Sequence, residues 1–360
     1  FFFQAEDGIR DLVRSRGRGD VYKRQSLIRT AGGLLIGHTN MTELAYSGLG
    51  INPHYGTPLN PIYKGAIPGG STSGGAVSIS LDISDITIGT DTGGSTRIPA
   101  AFTGITGFKP TQDVISRKGV LVLSSSLDSV GLMAKNVELC RLGYEVMKNK
   151  TNIKKTNLYD KEADLIIPTN FGFKDIEPQI KSSFDAAKQK LAENGFNVVE
   201  IHVPTLDLYK KVPLWQFAAV ESQTEYFEAY NDKKHLMDPN ILRRMDRAND
   251  VLAVEYNLLL NIRKKLIKEF NNFLKNNFLL LPTVTIYPPL LEDCKNEPYY
   301  DEVNLISLRN TTLANYMNGC SISLPYSKDD KPIGVMLNGT TKNDEKLLSI
   351  SAKVETVLSK

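Results

Sequence analysis

The stretch GGSTSGGAVSISLDISDITIGTDTGGSTRIP, Gly69 to Pro99, decides how the rest of the chain is read. It holds two loops rich in glycine and serine, 69–75 and 91–95, joined by a segment too apolar to be a linker. Ser71 and Ser95 each follow a Gly-Gly pair, where the backbone can turn tightly and approach a ligand closely. A single Gly-Gly-Ser is ordinarily a turn. Two of them, with Asp91 ahead of the second and Thr96-Arg97-Ile98-Pro99 behind it, read as a site.

A serine hydroxyl is a weak nucleophile and needs an adjacent base. Acyl transfer also needs N–H donors aimed at the developing oxyanion. Thr92-Gly93-Gly94-Ser95 suits that second task, because glycine permits the dihedrals that let successive N–H groups converge. A histidine base is hard to find: the chain has only His38, His54, His202 and His235, and no G-x-S-x-G elbow. Nor is 69–75 a phosphate loop, since no Gly-Lys-Ser/Thr follows it. Serine chemistry without histidine points to a Ser-Lys type of site.

These residues closely resemble the amidase signature family. The resemblance rests on Gly69-Gly70-Ser71-Thr72-Ser73-Gly74-Gly75 and on Gly89-Thr90-Asp91-Thr92-Gly93-Gly94-Ser95-Thr96-Arg97-Ile98-Pro99-Ala100. It continues through Gly104–Thr111 and Ser126–Gly131, and upstream through Gly37–Leu44 and Asn60-Pro61. Thr72 departs from the pattern, which usually has Ser or Gly there; a small hydroxyl residue fits. The resemblance implies hydrolysis of a linear amide by a Ser–cis-Ser–Lys triad. Ser95 would attack the carbonyl, and the N–H groups of Thr92, Gly93, Gly94 and Ser95 would hold the oxyanion. Ser71, expected at a cis peptide bond, would relay the proton between Ser95 and a neutral lysine. Asp91 and Arg97 would brace the nucleophile loop. Tyr46, Ser47 and Gly48 fall where related proteins line the acyl pocket. No metal or organic cofactor is implied, and the expected ligand is a small-molecule amide.

Phe1–Gln25 reads differently from everything after it. It is rich in Arg and Gly, has no sustained amphipathic period, and its apolar start is too short for a signal peptide. It resembles translated sequencing-adaptor sequence and is set apart from the fold, with a basic arm as the alternative. The family's lysine lies well ahead of the first serine loop, yet Ser26–Gly70 contains only Lys64, in the wrong context. Lys109, in Gly-Phe-Lys-Pro, belongs to a different, structural motif. The expectation is a fragment without its N-terminal part and its catalytic lysine, itself inactive.

The formal net charge is +3; residues 1–25 hold six basic and four acidic side chains, so the remainder carries +1. That is no electrostatic footprint for nucleic acid. Cys140, Cys294 and Cys320 lack C-x-x-C spacing, which argues against a disulfide framework or zinc site and for buried thiols in a reducing compartment. No apolar run approaches the roughly 20 residues that span a bilayer. The expectation is a cytoplasmic protein.

The resemblance implies an α/β fold: one large twisted mixed sheet with helices on both faces, in a single domain over 26–360. Within it, 26–145 forms the catalytic core, 146–277 a βαβ unit and a variable helical region, and 278–360 the return to the sheet. Gly32–Gly37 is expected as a short strand, 74–81 as a helix and 85–89 as a strand. Strand Asp164–Pro168, helix Pro178–Glu193 stopped by Gly195, and strand Val198–Val203 form the βαβ pattern, hence a parallel pair. Arg263-Lys264-Lys265 reads as the solvated face of a helix whose other side carries Leu259, Ile262 and Leu266. Phe278–Thr283 and Pro332–Leu337 are strands, and 342–358 is an amphipathic helix with Asn343 as N-cap. Two competing functions remain at this stage. One is the A subunit of a tRNA-dependent amidotransferase, which needs partner subunits and is the only reading that involves nucleic acid. The other is a catalytically dead binding or scaffold protein.

Overall fold

The computed structural model describes residues 2–4, 27–148, 163–328 and 331–360. Its strands are β1 (Phe2–Gln4), β2 (Gly37–Thr39), β3 (Ile86–Asp91), β4 (Thr106–Lys109), β5 (Ser129–Ala134), β6 (Leu165–Pro168), β7 (Val198–Ile201), β8 (Phe278–Pro282), β9 (Ser321–Tyr326) and β10 (Ile333–Asn338). They form one sheet in the order β2-β1-β3-β5-β4-β9-β10-β8-β6-β7. The helices are α1 (Ser73–Ser80), α2 (Arg97–Thr103), α3 (Val137–Met147), α4 (Pro178–Glu193), α5 (Pro204–Tyr209) and α6 (Trp215–Glu225). They continue as α7 (Phe227–Lys233), α8 (Pro239–Asp246), α9 (Ala253–Leu274), α10 (Glu297–Tyr316) and α11 (Asp344–Leu358).

The sheet is mixed, as expected. β1 runs parallel to both β2 and β3, and β6 runs parallel to β7 and β8. The β3–β5, β5–β4, β4–β9, β9–β10 and β10–β8 pairs are antiparallel. Strand side chains alternate between two cores, because successive residues face opposite sides of a sheet. Phe278 and Leu280 of β8 join Val335 and Leu337 of β10 against α3, α4 and α11. Leu279, Leu281 and Met336 point the other way, against α5, α6, α9 and α10. Strands covered on both faces read as near-continuous apolar runs, and FLLLP is one.

The expected βαβ unit is present as β6–α4–β7, with Leu165 opposite Val198 and Pro168 opposite Ile201. Several local expectations shift. The strand placed at 32–37 forms instead at Gly37–Thr39, where β1 supplies a pairing edge. Asn343 stands at the α11 N-cap, but its side chain makes no capping bond. Arg263 is half-buried: its guanidinium donates to the Tyr316 and Asn315 carbonyls and so caps the C-terminus of α10. Lys264 and Lys265 are exposed.

β1 lies inside the segment that sequence reading sets apart; residues 5–25 of that segment are outside the described residues. The tripeptide fills a slot one strand wide between β2 and β3. All three cysteines are free and buried.

Candidate active site

β3 carries Asp91 to the rim of the sheet, and the loop 92–95 turns from there into α2. A buried ion pair fixes this turn. Arg97 donates through Nη2 to Asp91 Oδ1 at 2.8 Å and through Nε to Oδ2 at 3.1 Å, with both side chains fully buried. Its remaining donors reach the Thr311 carbonyl at 2.8 Å and Asn315 Oδ1 at 2.7 Å, both on α10. Asn315 Nδ2 returns bonds to the Asp91 carbonyl and Oδ1 at 2.8 and 3.0 Å. Burial alone would push the Asp91 carboxyl up, but the Arg97 guanidinium overrides this and holds it well below the usual carboxylate range. Asp91 and Arg97 therefore brace the loop.

The loop's peptide planes have defined directions. The Gly94 N–H donates to Asp91 Oδ1 at 2.9 Å, while the Gly93 carbonyl accepts from Thr311 Oγ1 at 2.5 Å and Thr312 Oγ1 at 3.2 Å. That plane is held from both ends, so the Gly94 N–H is spent inside the loop. This corrects the sequence expectation for Gly94. Its contribution is conformational: φ is 135°, and a Cβ there would collide with Thr311 Oγ1. The Gly94 carbonyl accepts from the Arg97 and Ile98 N–H groups at 2.8 and 2.7 Å. In a trans peptide the C=O and N–H point oppositely, so the Ser95 N–H faces away from α2. The N–H groups of Thr92, Gly93 and Ser95 have no acceptor among the described residues.

Asp128 steadies the same loop from β5's approach. Its carboxylate accepts from Thr92 Oγ1 at 2.6 Å and from the Leu123 and Ser124 N–H groups at 2.9 and 3.0 Å. Burial pushes its pKa up to about 6 despite these bonds.

The first serine loop lies alongside. The Gly70–Ser71 peptide is cis. Gly70 N–H donates to the Gly48 carbonyl at 2.8 Å, Thr42 N–H to the Ser71 carbonyl at 3.1 Å, and Thr72 N–H to the Ser95 carbonyl at 3.3 Å. Ser71 is fully buried, and its hydroxyl has no hydrogen-bond partner among the described residues. The hydroxyls of Thr39, Thr42 and Thr72 share that condition. Lys64 is exposed. Lys109 is buried but donates to the Pro110 carbonyl at 2.7 Å; burial, then the Arg97 charge, lower its pKa to about 8.

Ser95 opens on a cavity of about 170 Å³ that also includes Tyr46, Ser47, Thr92 and Gly93. Gly48 is not part of the lining. Its N–H goes to Asn304 Oδ1 at 2.9 Å and its carbonyl to Gly70, so it tethers the serine loop instead. Ser47 is held by Tyr300 at 2.8 Å and Asn304 at 3.1 Å. Sequence reading missed the α10 contributors Asn304, Thr311 and Asn315. It also missed the three arginines of the cavity wall, Arg244, Arg247 and Arg309. The available signal was the i, i+4 spacing of Thr311 and Asn315 within RNTTLANYMNG, which puts both on one helix face.

The family model described as Amidase matches residues 25–348. The chain belongs to the amidase family. It is 31% identical over 342 residues to 2-amino-5-chloromuconic acid deaminase of Comamonas testosteroni, a match covering 91% of this chain and 72% of that protein. It is 29% identical over 367 residues to the A subunit of glutamyl-tRNA(Gln) amidotransferase from Treponema denticola, covering 89% and 74%. Among solved structures, one described as the crystal structure of amidase superposes with a TM-score of 0.83 at 26% identity, covering 93% of this chain and 77% of that one. The fold and family make this an enzyme that acts on amide C–N bonds. Among the described residues no group of His, Cys, Asp and Glu is arranged to hold a metal ion. No helix among them is long and apolar enough to cross a membrane.

Proposed function

We propose that this amidase hydrolyses a linear carboxylic amide with Ser95 as nucleophile and Ser71 as proton relay to a lysine. The observation that carries the reading is the buried Ser71 hydroxyl, unpartnered among the described residues and set in a loop bonded to Ser95. A buried hydroxyl left unpaired costs about 1–3 kcal/mol, which a role in proton transfer would justify. In the reaction Ser95 Oγ bonds to the carbonyl carbon and gives its proton to Ser71 Oγ, whose own proton passes to the lysine. The oxyanion takes bonds from the N–H groups of Thr92, Gly93 and Ser95. Collapse breaks the C–N bond, and the leaving nitrogen takes its proton back through Ser71. Water then repeats the sequence on the Ser95 ester.

No lysine among the described residues bonds to Ser71. On this reading a chain in which no lysine reaches Ser71 turns over slowly, since a positioned acid–base group is worth on the order of 10²–10⁴ in rate. The test is labelling by a fluorophosphonate probe, located by peptide mass spectrometry. Slow modification at Ser95 on prolonged incubation, lost in Ser95→Ala, is expected; modification of another serine with none at Ser95 would sink the reading. The similarity to an amidotransferase component supports a second reading, glutaminase activity that depends on partner subunits. Co-purification with such subunits, and ammonia release from glutamine only in their presence, would favour it.

A further inference from the structure

The geometry points to an amide substrate that carries a carboxylate, held at the cavity by Arg247 and Arg244. This inference rests on Ser95 being the reacting group and adds the charge of what it reacts with. The cavity lining includes three arginines and no acidic side chain. One of them is already engaged: Arg309 donates to Thr285 Oγ1 at 2.8 Å and lies 3.4 Å from Asp175. The other two have no carboxylate partner among the described residues. Arg244 donates to the Tyr46 carbonyl at 2.8 Å, and its guanidinium lies 4.6 Å from the centre of the Tyr46 ring. Arg247 lies 3.9 Å over the Trp215 ring. The nearby carboxylates of Glu297 and Asp301 pair with Arg243, at 3.2 and 3.0 Å, and neither forms an ion pair with Arg244 or Arg247 among the described residues.

Local structure explains the pairing. Arg244 stands in the last turn of α8 and Arg247 in the 3₁₀ turn that follows it, three residues on, so both project to one side. Two adjacent guanidiniums repel each other. The Arg247 pKa is lowered, by partial desolvation against Trp215 first and with the Arg244 charge contributing, while Tyr46 and Asp301 act the other way. An anion between them would relieve that repulsion. Each guanidinium lies against an aromatic ring, which leaves its N–H edge for a coplanar carboxylate. The rest of the lining, including Leu123, Leu127 and Leu308, is apolar and suits a short hydrocarbon link. At about 170 Å³ the cavity has room for a small acid amide.

The experiment is titration calorimetry on the 360-residue chain carrying Ser95→Ala, so that nothing turns over. The probes are succinamate and glutaramate, against the neutral diamides succinamide and glutaramide. The acid amides should bind about tenfold or more tightly than the diamides, the scale of one charge-assisted bidentate contact. Arg247→Gln should remove most of that preference, and Arg247→Lys should keep part of it. Arg247 is exposed, so its variants fold; Arg244→Gln is the second probe and should weaken the same ligands. Equal affinity for acid and diamide, no saturable binding of either acid amide, or a preference that survives both glutamine variants overturns the proposal. Fluorophosphonate labelling of Ser95 reports separately on the nucleophile, so the failure of either idea can be told from the failure of the other.

Discussion

The two serine loops touch each other yet differ in how their polar groups are satisfied. Around Ser95 the buried groups are paired: Asp91, Arg97, Asn315, Thr311 and Asp128 bond to one another or to the loop. Around Ser71 four buried hydroxyls, on Thr39, Thr42, Ser71 and Thr72, have no partner among the described residues. Buried polar groups are normally hydrogen-bonded, so the contrast separates a side whose groups are paired from one whose hydroxyls lack partners among the described residues. The Ser95 side is a closed network. The Ser71 side is open among the described residues.

Breaking the closed network should have the largest effect. Arg97→Ala leaves the Asp91 carboxylate buried without its cation, and loss of one partner of such a pair costs about 3–5 kcal/mol. Urea unfolding measures this, and a loss under about 1 kcal/mol would mean that the loop does not depend on the pair. The pH dependence follows from the depressed Asp91 pKa. The stability that the pair supplies is whole above the ordinary carboxylate range and is lost as pH falls through and below it.

Asp128 sharpens the comparison at intermediate size, with the opposite sign. Its pKa is raised to about 6, so below the ordinary carboxylate value of about 4 its protonated form contributes fully to folding. That contribution is lost as pH rises through about 6. Relative to Asp128→Asn, the parent protein should lose about 2–3 kcal/mol between about pH 4 and 7. A difference that stays flat over that range would contradict the raised value.

The smallest effect belongs to the open side. Thr72→Val replaces an unpartnered hydroxyl with a methyl of similar volume and should stabilise the fold by about 1 kcal/mol. Destabilisation of that size in thermal or urea unfolding would show that the Thr72 hydroxyl has a partner, and the contrast between the loops would weaken.

Much of this is legible in the primary structure, for identifiable reasons. The cis peptide at Ser71, the bracing by Asp91 and Arg97, and the mixed sheet all sit on long ordered motifs. The βαβ unit follows from period and stop signals, with Ile180, Phe184, Ala187 and Leu191 buried along α4 as their spacing requires. Gly94 and Gly48 are harder. A glycine announces backbone freedom, but which way its N–H points depends on acceptors that the fold supplies, here Asp91 and Asn304. Arg263 escapes a sequence reading because a basic run on a helix gives no sign that one member will cap a different helix.

By itself, then, the sequence determined the local chemistry: which loops bend, which serines stand in them, and which strands are covered on both faces. Those properties depend on neighbours along the chain, through glycine's freedom and the alternation of side chains. Tertiary structure alone decided which partners meet. It brought α10, over 200 residues from the Ser95 loop, to clamp Asp91 and Arg97. It set Arg244 and Arg247 in the wall of the cavity that Ser95 lines, and it left the Ser71 hydroxyl unpaired among the described residues. Hydrogen bonding and charge pairing act over a few ångströms in space, and only the fold says what lies within them.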